Sequence, residues 1–161
     1  MNSGSFDGAD QIRPVQPQHI SAIFEIEQLA YEFPWTEGLL RGCLGGNYHF
    51  HAMFRQQQII AYGIMSCVLN EAHILNLCVS PQYQRQGLGR KMLDYLLDKA
   101  GQLQSSTVFL EVRESNHIAK CLYETHGFNQ LGSRRGYYPG EGGRENAIMY
   151  ALELQLNADL A

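Results

Sequence analysis

The chain has 161 residues and a mass of 18.2 kDa, the length of a single domain at roughly 100–200 residues per domain. Hydrophobic residues make up 45% and charged residues 17%, a globular composition that excludes wholesale disorder. Lys and Arg number 12 against 16 Asp and Glu, a net charge of −4, which excludes a protein held on nucleic acid by a general positive field.

The N-terminal run MNSGSFDGADQ has neither a basic nor an apolar region, so no secretory signal is expected. The longest uncharged apolar stretch, residues 59–69, is well short of the roughly 18 residues of a membrane span. A cytoplasmic protein without membrane contact is the expectation. Residues 1–10 read as a loose polar leader and 11–161 as one domain. A short strand follows at 12–15. Pro17 then opens a helix whose Ile20, Ile23, Phe24, Leu29 and Ala30 lie roughly at helical spacing. Phe33-Pro34-Trp35 breaks it, and Thr36 with Glu37 caps a second short helix running to about Leu44. After the Gly45-Gly46-Asn47 turn come three strand-like segments, 48–55, 59–68 and 72–79. Gly87-Leu88-Gly89 leads into a helix with Leu88, Met92, Leu96 and Leu103 near one face. Residues 107–113 form a strand, and Ser115 caps a helix that stops at Gly127. Strands at 128–137 and 144–154 flank a Gly-rich turn at 139–143. This order predicts an α/β layered domain with a mixed sheet.

Cys43, Cys67, Cys78 and Cys121 show no C-x-x-C spacing and read as buried hydrophobes rather than disulfide or zinc ligands. His49 and His51 share one face of a strand, but the sequence nominates no third ligand, so no metal is predicted.

The chemistry concentrates at Gln84-Arg85-Gln86-Gly87-Leu88-Gly89-Arg90-Lys91. Two glycines in a strand-to-helix loop let the backbone approach a ligand, and free amides at the helix start form an anion site suited to a pyrophosphate. Arg85, Arg90 and Lys91 add charge. Neither the P-loop nor the dinucleotide fingerprint is complete.

Gln84-x-x-Gly87-x-Gly89 resembles the Arg/Gln-x-x-Gly-x-Gly/Ala signature of the GCN5-related N-acetyltransferases (GNAT), which bind acetyl-CoA. Leu110-Glu111-Val112-Arg113-Glu114-Ser115-Asn116, Leu122-Tyr123-Glu124 and Gly127-Phe128 are similar to its RimI branch, the ribosomal-protein-alanine N-acetyltransferases. Phe33-Pro34-Trp35, Asn76-Leu77-Cys78-Val79 and Arg134-Arg135-Gly136-Tyr137-Tyr138-Pro139 extend the resemblance from about Ile12 to Leu154. It implies the GNAT fold, an α/β domain whose mixed central sheet is splayed between the fourth and fifth strands with flanking helices. It also implies acetyl transfer by direct attack onto the N-terminal α-amine of a ribosomal protein, namely the N-terminal alanine of small-subunit protein 18.

Strand alternation puts Glu111 opposite Val108, Leu110 and Val112, in a strand expected to be mostly buried. There it is either the partner of an arginine or a general base, since acyl transfer to an amine must remove a proton. The resemblance implies the base. Asn116 and Tyr123 lie seven residues apart on one helix and project from the same side, with Ile118, Ala119 and Leu122 free to face the core. Tyr123 reads unaided as packing, and the resemblance implies that it protonates the departing CoA thiolate. The resemblance implies cofactor contacts at Asn116, at the backbone of Leu77, Cys78 and Val79, and at Arg85, Gln86, Gly87, Leu88, Gly89 and Arg90. Cys78 raises the competing route through an acetyl-cysteine. Trp35 and Tyr138 are either loop packing or part of a peptide groove. Glu32, Glu37, Glu141 and Glu145 are expected to attract a basic peptide tail. The alternatives to protein Nα-acetylation are a small-amine or lysine acetyltransferase and a non-catalytic acetyl-CoA-binding module.

Overall fold

The computed structural model describes residues 9–156; most of the expected leader, residues 1–8, lies outside the described residues. Asp10 is ion-paired to Arg55, which donates to its two carboxylate oxygens at 2.7 and 2.9 Å.

Strand β1 (Gln11–Pro14) is followed by a single 3-10 turn and helix α1 (Ile20–Ala30), then α2 (Glu37–Gly42). Strands β2 (Tyr48–Arg55), β3 (Gln58–Val68) and β4 (Glu71–Val79) form a meander, and α3 (Leu88–Gln102) crosses to β5 (Thr107–Arg113). Helix α4 (His117–Thr125) precedes the hairpin β6 (Asn129–Gly140) and β7 (Gly143–Glu153). The seven strands make one sheet in the order β1-β2-β3-β4-β5-β7-β6, antiparallel throughout except for the parallel β4–β5 pair.

Helices cover both faces, so β3 is buried through most of its length instead of alternating. One core, under α1 and α2, contains Ile20, Ile23, Leu40, Phe50, Tyr62 and Ile64. The other, under α3 and α4, contains Met65, Leu88, Met92, Leu96, Leu110, Tyr123 and Tyr150. Helix α3 rests so closely on β3 at Gly63 that a Cβ there would stand 2.8 Å from Leu96 Cδ1, so any larger residue would push the helix side chain away.

Several expectations need correction. Leu29 is 75% exposed, and Ile26 and Glu27 turn inward instead; nine residues at about 100° each put Leu29 on the side opposite Ile20. Ile118 is 85% exposed, because Ala119, four residues before Tyr123, holds the inward register. Leu103 lies beyond α3 and is partly exposed. The cap of α4 is Asn116, not Ser115: the Ala119 amide donates to Asn116 Oδ1 at 3.1 Å. The Gly-rich turn shrinks to Glu141-Gly142, since β6 runs through Pro139 and Gly140.

Candidate active site

The parallel ladder between β4 and β5 stops after Ile74–Leu110. Beyond it β4 continues paired only to β3, and β5 only to β7. A bulge at this point leaves Leu75 without a partner in β3: Ile64 pairs with Asn76 and Met65 with Ile74. The parting strands enclose a cavity of about 330 Å³ whose wall includes Glu27, Tyr31, Trp35, Leu75, Leu77, Glu111, Asn116, Tyr123 and Tyr138. The splay expected from the resemblance is therefore present, between the fourth and fifth strands.

Both expected catalytic side chains face this space. Glu111 projects from β5 on the face opposite Val108, Leu110 and Val112. Its side chain is 27% exposed, not mostly buried, and accepts an ion-pair hydrogen bond from Arg134 Nε at 3.0 Å. The partner-of-an-arginine reading and the cavity position thus hold together. The neighbouring Glu111 carboxylate, more than burial, holds the Tyr137 phenol above its ordinary pKa. Tyr123 comes from α4, is 7% exposed, and packs against the rings of Phe128 and Tyr150 with centroids 5.7 and 6.4 Å away. Burial pushes its phenol well above the ordinary range, so the hydroxyl keeps its proton through neutral and mildly alkaline pH.

On β4, the Leu77 carbonyl accepts a hydrogen bond from the Tyr31 hydroxyl at 2.7 Å, and the Val79 carbonyl accepts from Gln84 Nε2 at 3.2 Å. These main-chain groups face away from β3 and are met by side chains, since β5 has left. Cys78 points the other way, into the core with Phe50 and Tyr62. Burial raises its thiol to about 12, which leaves no useful thiolate at neutral pH and removes the acetyl-cysteine route. Sequence reasoning missed Glu27 here, because its inward turn was hidden by the apolar spacing of α1.

After β4, residues 80–87 form the expected loop. Arg85 adopts φ 64° and Gly87 φ 76°, with Gly87 as the N-cap of α3. The amides of Leu88, Gly89 and Arg90 have no intrahelical acceptor. The Leu88 side chain is in the core, so only its amide can serve a ligand. No salt bridge engages Arg85, Arg90 or Lys91 among the described residues, whereas Gln86 accepts a long bond of 3.4 Å from Arg55. Asn116 lines the cavity but spends its Oδ1 on capping α4.

Trp35 and Tyr138 line both this cavity and an adjoining groove of about 550 Å³ that also includes Glu111, Arg134 and Tyr137. Strand β6 carries two extra residues between Arg134, which pairs with Ala147, and Tyr138, which pairs with Glu145. That bulge turns on Gly136 at φ 59° and is held by Asn146 Oδ1 accepting from the Gly136 amide at 3.0 Å and by Arg144 donating to the Tyr137 carbonyl at 2.9 Å. Arg113 joins the two sides: its guanidinium lies 5.0 Å from the Phe33 ring centroid and 4.6 Å from that of Tyr138, and it pairs with Glu145 at 3.1 Å. Of the four glutamates expected to attract a basic tail, Glu145 is committed to Arg113 and the Ser115 amide, and Glu37 to Arg41. Glu32 and Glu141 line an outer cleft of about 540 Å³, which Glu145 borders as well. Among the described residues no group of three or more His, Cys, Asp or Glu side chains could hold a metal ion.

The acetyltransferase (GNAT) family model matches residues 19–128. The chain is 40% identical over 145 residues to the [ribosomal protein bS18]-alanine N-acetyltransferase of Escherichia coli K12, covering 90% of this chain and 98% of the relative. It is 42% identical over 144 residues to the corresponding Haemophilus ducreyi enzyme, covering 89% and 99%. The crystal structure of the Escherichia coli ribosomal-protein-S18-alanine N-acetyltransferase superposes with a TM-score of 0.88 at 38% identity, over 95% of this chain and 99% of that one. Arabidopsis thaliana NAA60, at 16% identity and a TM-score of 0.83 over 92% of this chain and all of that one, shares the fold. With strands that part around a carboxylate and a phenol, a glycine loop opening α3, and relatives matched nearly end to end, this chain belongs to the acetyltransferase (GNAT) family.

Proposed function

We propose that the protein transfers the acetyl group of acetyl-CoA directly to the N-terminal α-amine of a protein, with the N-terminal alanine of ribosomal protein bS18 as the acceptor. The observation that carries this reading is the cavity at the β4–β5 parting, with Glu111 and Tyr123 both on its wall. The substrate follows from the two relatives at 40% and 42% identity. Such an acceptor puts the reaction in the cytoplasm, and no helix among the described residues is long and apolar enough to cross a membrane.

The chain suits acetyl-CoA, which supplies an acyl group already activated as a thioester. The main-chain groups of Leu77 and Val79, met by side chains and not by a neighbouring strand, suit the amides of the pantetheine arm, with Cys78 contributing backbone alone and Asn116 at the arm's side. The amides of Gly87, Leu88, Gly89 and Arg90, with the side chains of Arg85, Gln86 and Arg90, suit the phosphates. A main-chain amide of β4 in the gap is suited to hold the acyl oxygen as it gains charge. Glu111 takes the proton from the acceptor nitrogen, and Tyr123 Oη, kept protonated by burial, gives one to the departing sulfur. Trp35 and Tyr138 flank the acceptor's first residues. A terminal amine at pKa 7.7–8.0 is roughly 3–4 kcal/mol easier to deprotonate than a lysine near 10.4, so a single partly exposed carboxylate is matched to the former.

Mass spectrometry of alanine-terminated bS18 peptide, its N-blocked form and a lysine-bearing control, each with acetyl-CoA, tests the reading. Acetylation of the free terminus alone is expected. Acetylation that survives the block would overturn the α-amine assignment.

A further inference from the structure

Glu27 is a buried carboxylate that the chemistry above leaves unused. It is 1% exposed, and its two oxygens receive three donors from three parts of the fold. The Trp35 amide donates to Oε1 at 3.0 Å, Asn76 Nδ2 donates to Oε2 at 3.0 Å, and the Tyr62 hydroxyl also donates to Oε2. No cation pairs with it among the described residues. Burying a carboxylate without a counter-ion is unfavourable, and an apolar side chain of like volume would serve packing better. What an apolar side chain lacks is an acceptor, for Tyr62 and Asn76 as well as for the Trp35 amide. Among the described residues that amide makes the single hydrogen bond of residues 32–35, so Glu27 tethers a segment otherwise held by side-chain packing alone. Asn76, at the other end of the tether, adjoins the bulged Leu75 on β4.

We infer that Glu27 is a positioning residue for the acceptor: its carboxylate ties the Trp35 backbone to Asn76 and so fixes the distance from the indole wall to the β4 edge. This deepens the acceptor reading above and rests on it. An acceptor amine reaches the gap between Trp35 and Leu75, which line both connected spaces, so the spacing of that gap governs how well the peptide end seats.

Two readouts test this, one independent of turnover. Trp35 is the only tryptophan in the chain beside nine tyrosines, so fluorescence excited at the red edge, beyond tyrosine absorption, reports on it alone. Glu27→Gln retains an oxygen for the Trp35 amide but sets its own NH2 against that of Asn76. The expected result is a red-shifted emission with greater acrylamide quenching, and a peptide KM raised about tenfold, the effect of one ordinary hydrogen bond. The kcat and the acetyl-CoA Kd stay within about twofold. Glu27→Gln with Asn76→Asp re-pairs an amide with a carboxylate and restores both readouts. Tyr62→Phe removes a donor that does not reach the loop, and it lowers Tm without moving the KM or the emission. Should Glu27→Gln fail to fold, Glu27→Asp, one methylene shorter, is read the same way. Wild-type emission and KM in the folded variant, or no recovery in the double variant, would overturn the inference. A wild-type protein that acetylates no peptide end overturns the acceptor reading instead, and the fluorescence still decides whether Glu27 holds Trp35.

Discussion

His51 sets an acid limit on the fold that can be measured apart from catalysis. Its imidazole lies on β2, 5% exposed, with its centroid 5.1 Å from that of Tyr95 and the rings tilted by 55°, and among the described residues Nδ1 has no hydrogen-bond partner. Burial, with help from Lys99 and His49, lowers its pKa from 6.5 to about 4. A depressed folded pKa means the unfolded chain binds the proton more readily. The corresponding stability is complete above pH 6.5 and is lost as the pH falls toward 4. At about 1.36 kcal/mol per unit, two units below 6.5 remove about 2–3 kcal/mol by pH 4.5. His51→Phe keeps an aromatic ring against Tyr95 and removes the proton site. Thermal melts of the two proteins at pH 7.5 and pH 4.5 should differ little at the first pH. At the second the variant should melt about 5–11 °C higher relative to wild type, at 2–4 °C per kcal/mol for a chain of this size. Carboxylates such as Asp10, whose hydrogen bond to Arg55 lowers its pKa, titrate alike in both proteins and cancel. Melting curves that fall in parallel between the two pH values would refute the assignment.

Glu111→Gln and Tyr123→Phe should each lower kcat by about 10²–10⁴-fold, the range of a lost general base or acid, with the acetyl-CoA Kd nearly unchanged by calorimetry; wild-type rates would remove the roles. The pH profile of kcat/KM should rise as the acceptor amine deprotonates near 7.7–8.0 and show no fall before about pH 10, since burial raises the Tyr123 phenol; a descending limb below that would show Tyr123 ionising normally. Arg113→Lys keeps the charge but loses the fork that meets Glu145 and the stack on Phe33 and Tyr138, so steady-state assays should show a peptide KM raised about tenfold with kcat little changed. Cys78→Ala, which removes a core thiol raised to about 12, should turn over peptide at close to the wild-type kcat and cost stability alone; a dead but folded variant would revive the acyl-cysteine route.

Strand order, helix order and the glycine loop were legible because each has a local cause. Alternation in β5 put Glu111 on the face opposite Val112, and Thr36 was readable as the cap of α2, whose Leu39 amide it accepts at 3.2 Å. The misplaced residues are those whose surroundings come from far along the chain. Glu27 sits inward because Tyr62 and Asn76, 35 and 49 residues away, supply donors, and no helical periodicity announces that. Arg134 shares the face of Glu111 because β6 slips by one residue at Leu131, between Gln130 paired with Tyr150 and Gly132 paired with Met149, a register event invisible in a run that reads as plain strand. Asn116 displaced Ser115 as the cap of α4 because two adjacent residues had equal propensity, and local signals do not choose between them.

The four residue pairs joining β4 to β5 are a narrow seam between two half-sheets, one of β1–β4 and one of β5–β7. A ligand arm laid along the open edges acts as a borrowed strand, supplying rungs that the polypeptide leaves out. Occupancy and rigidity are then one quantity: at a hundred times its Kd, such a ligand adds about 2.7 kcal/mol to the folded state. The free enzyme is consequently the softer molecule, and its amide protons beside the opening are the ones that saturation should slow most.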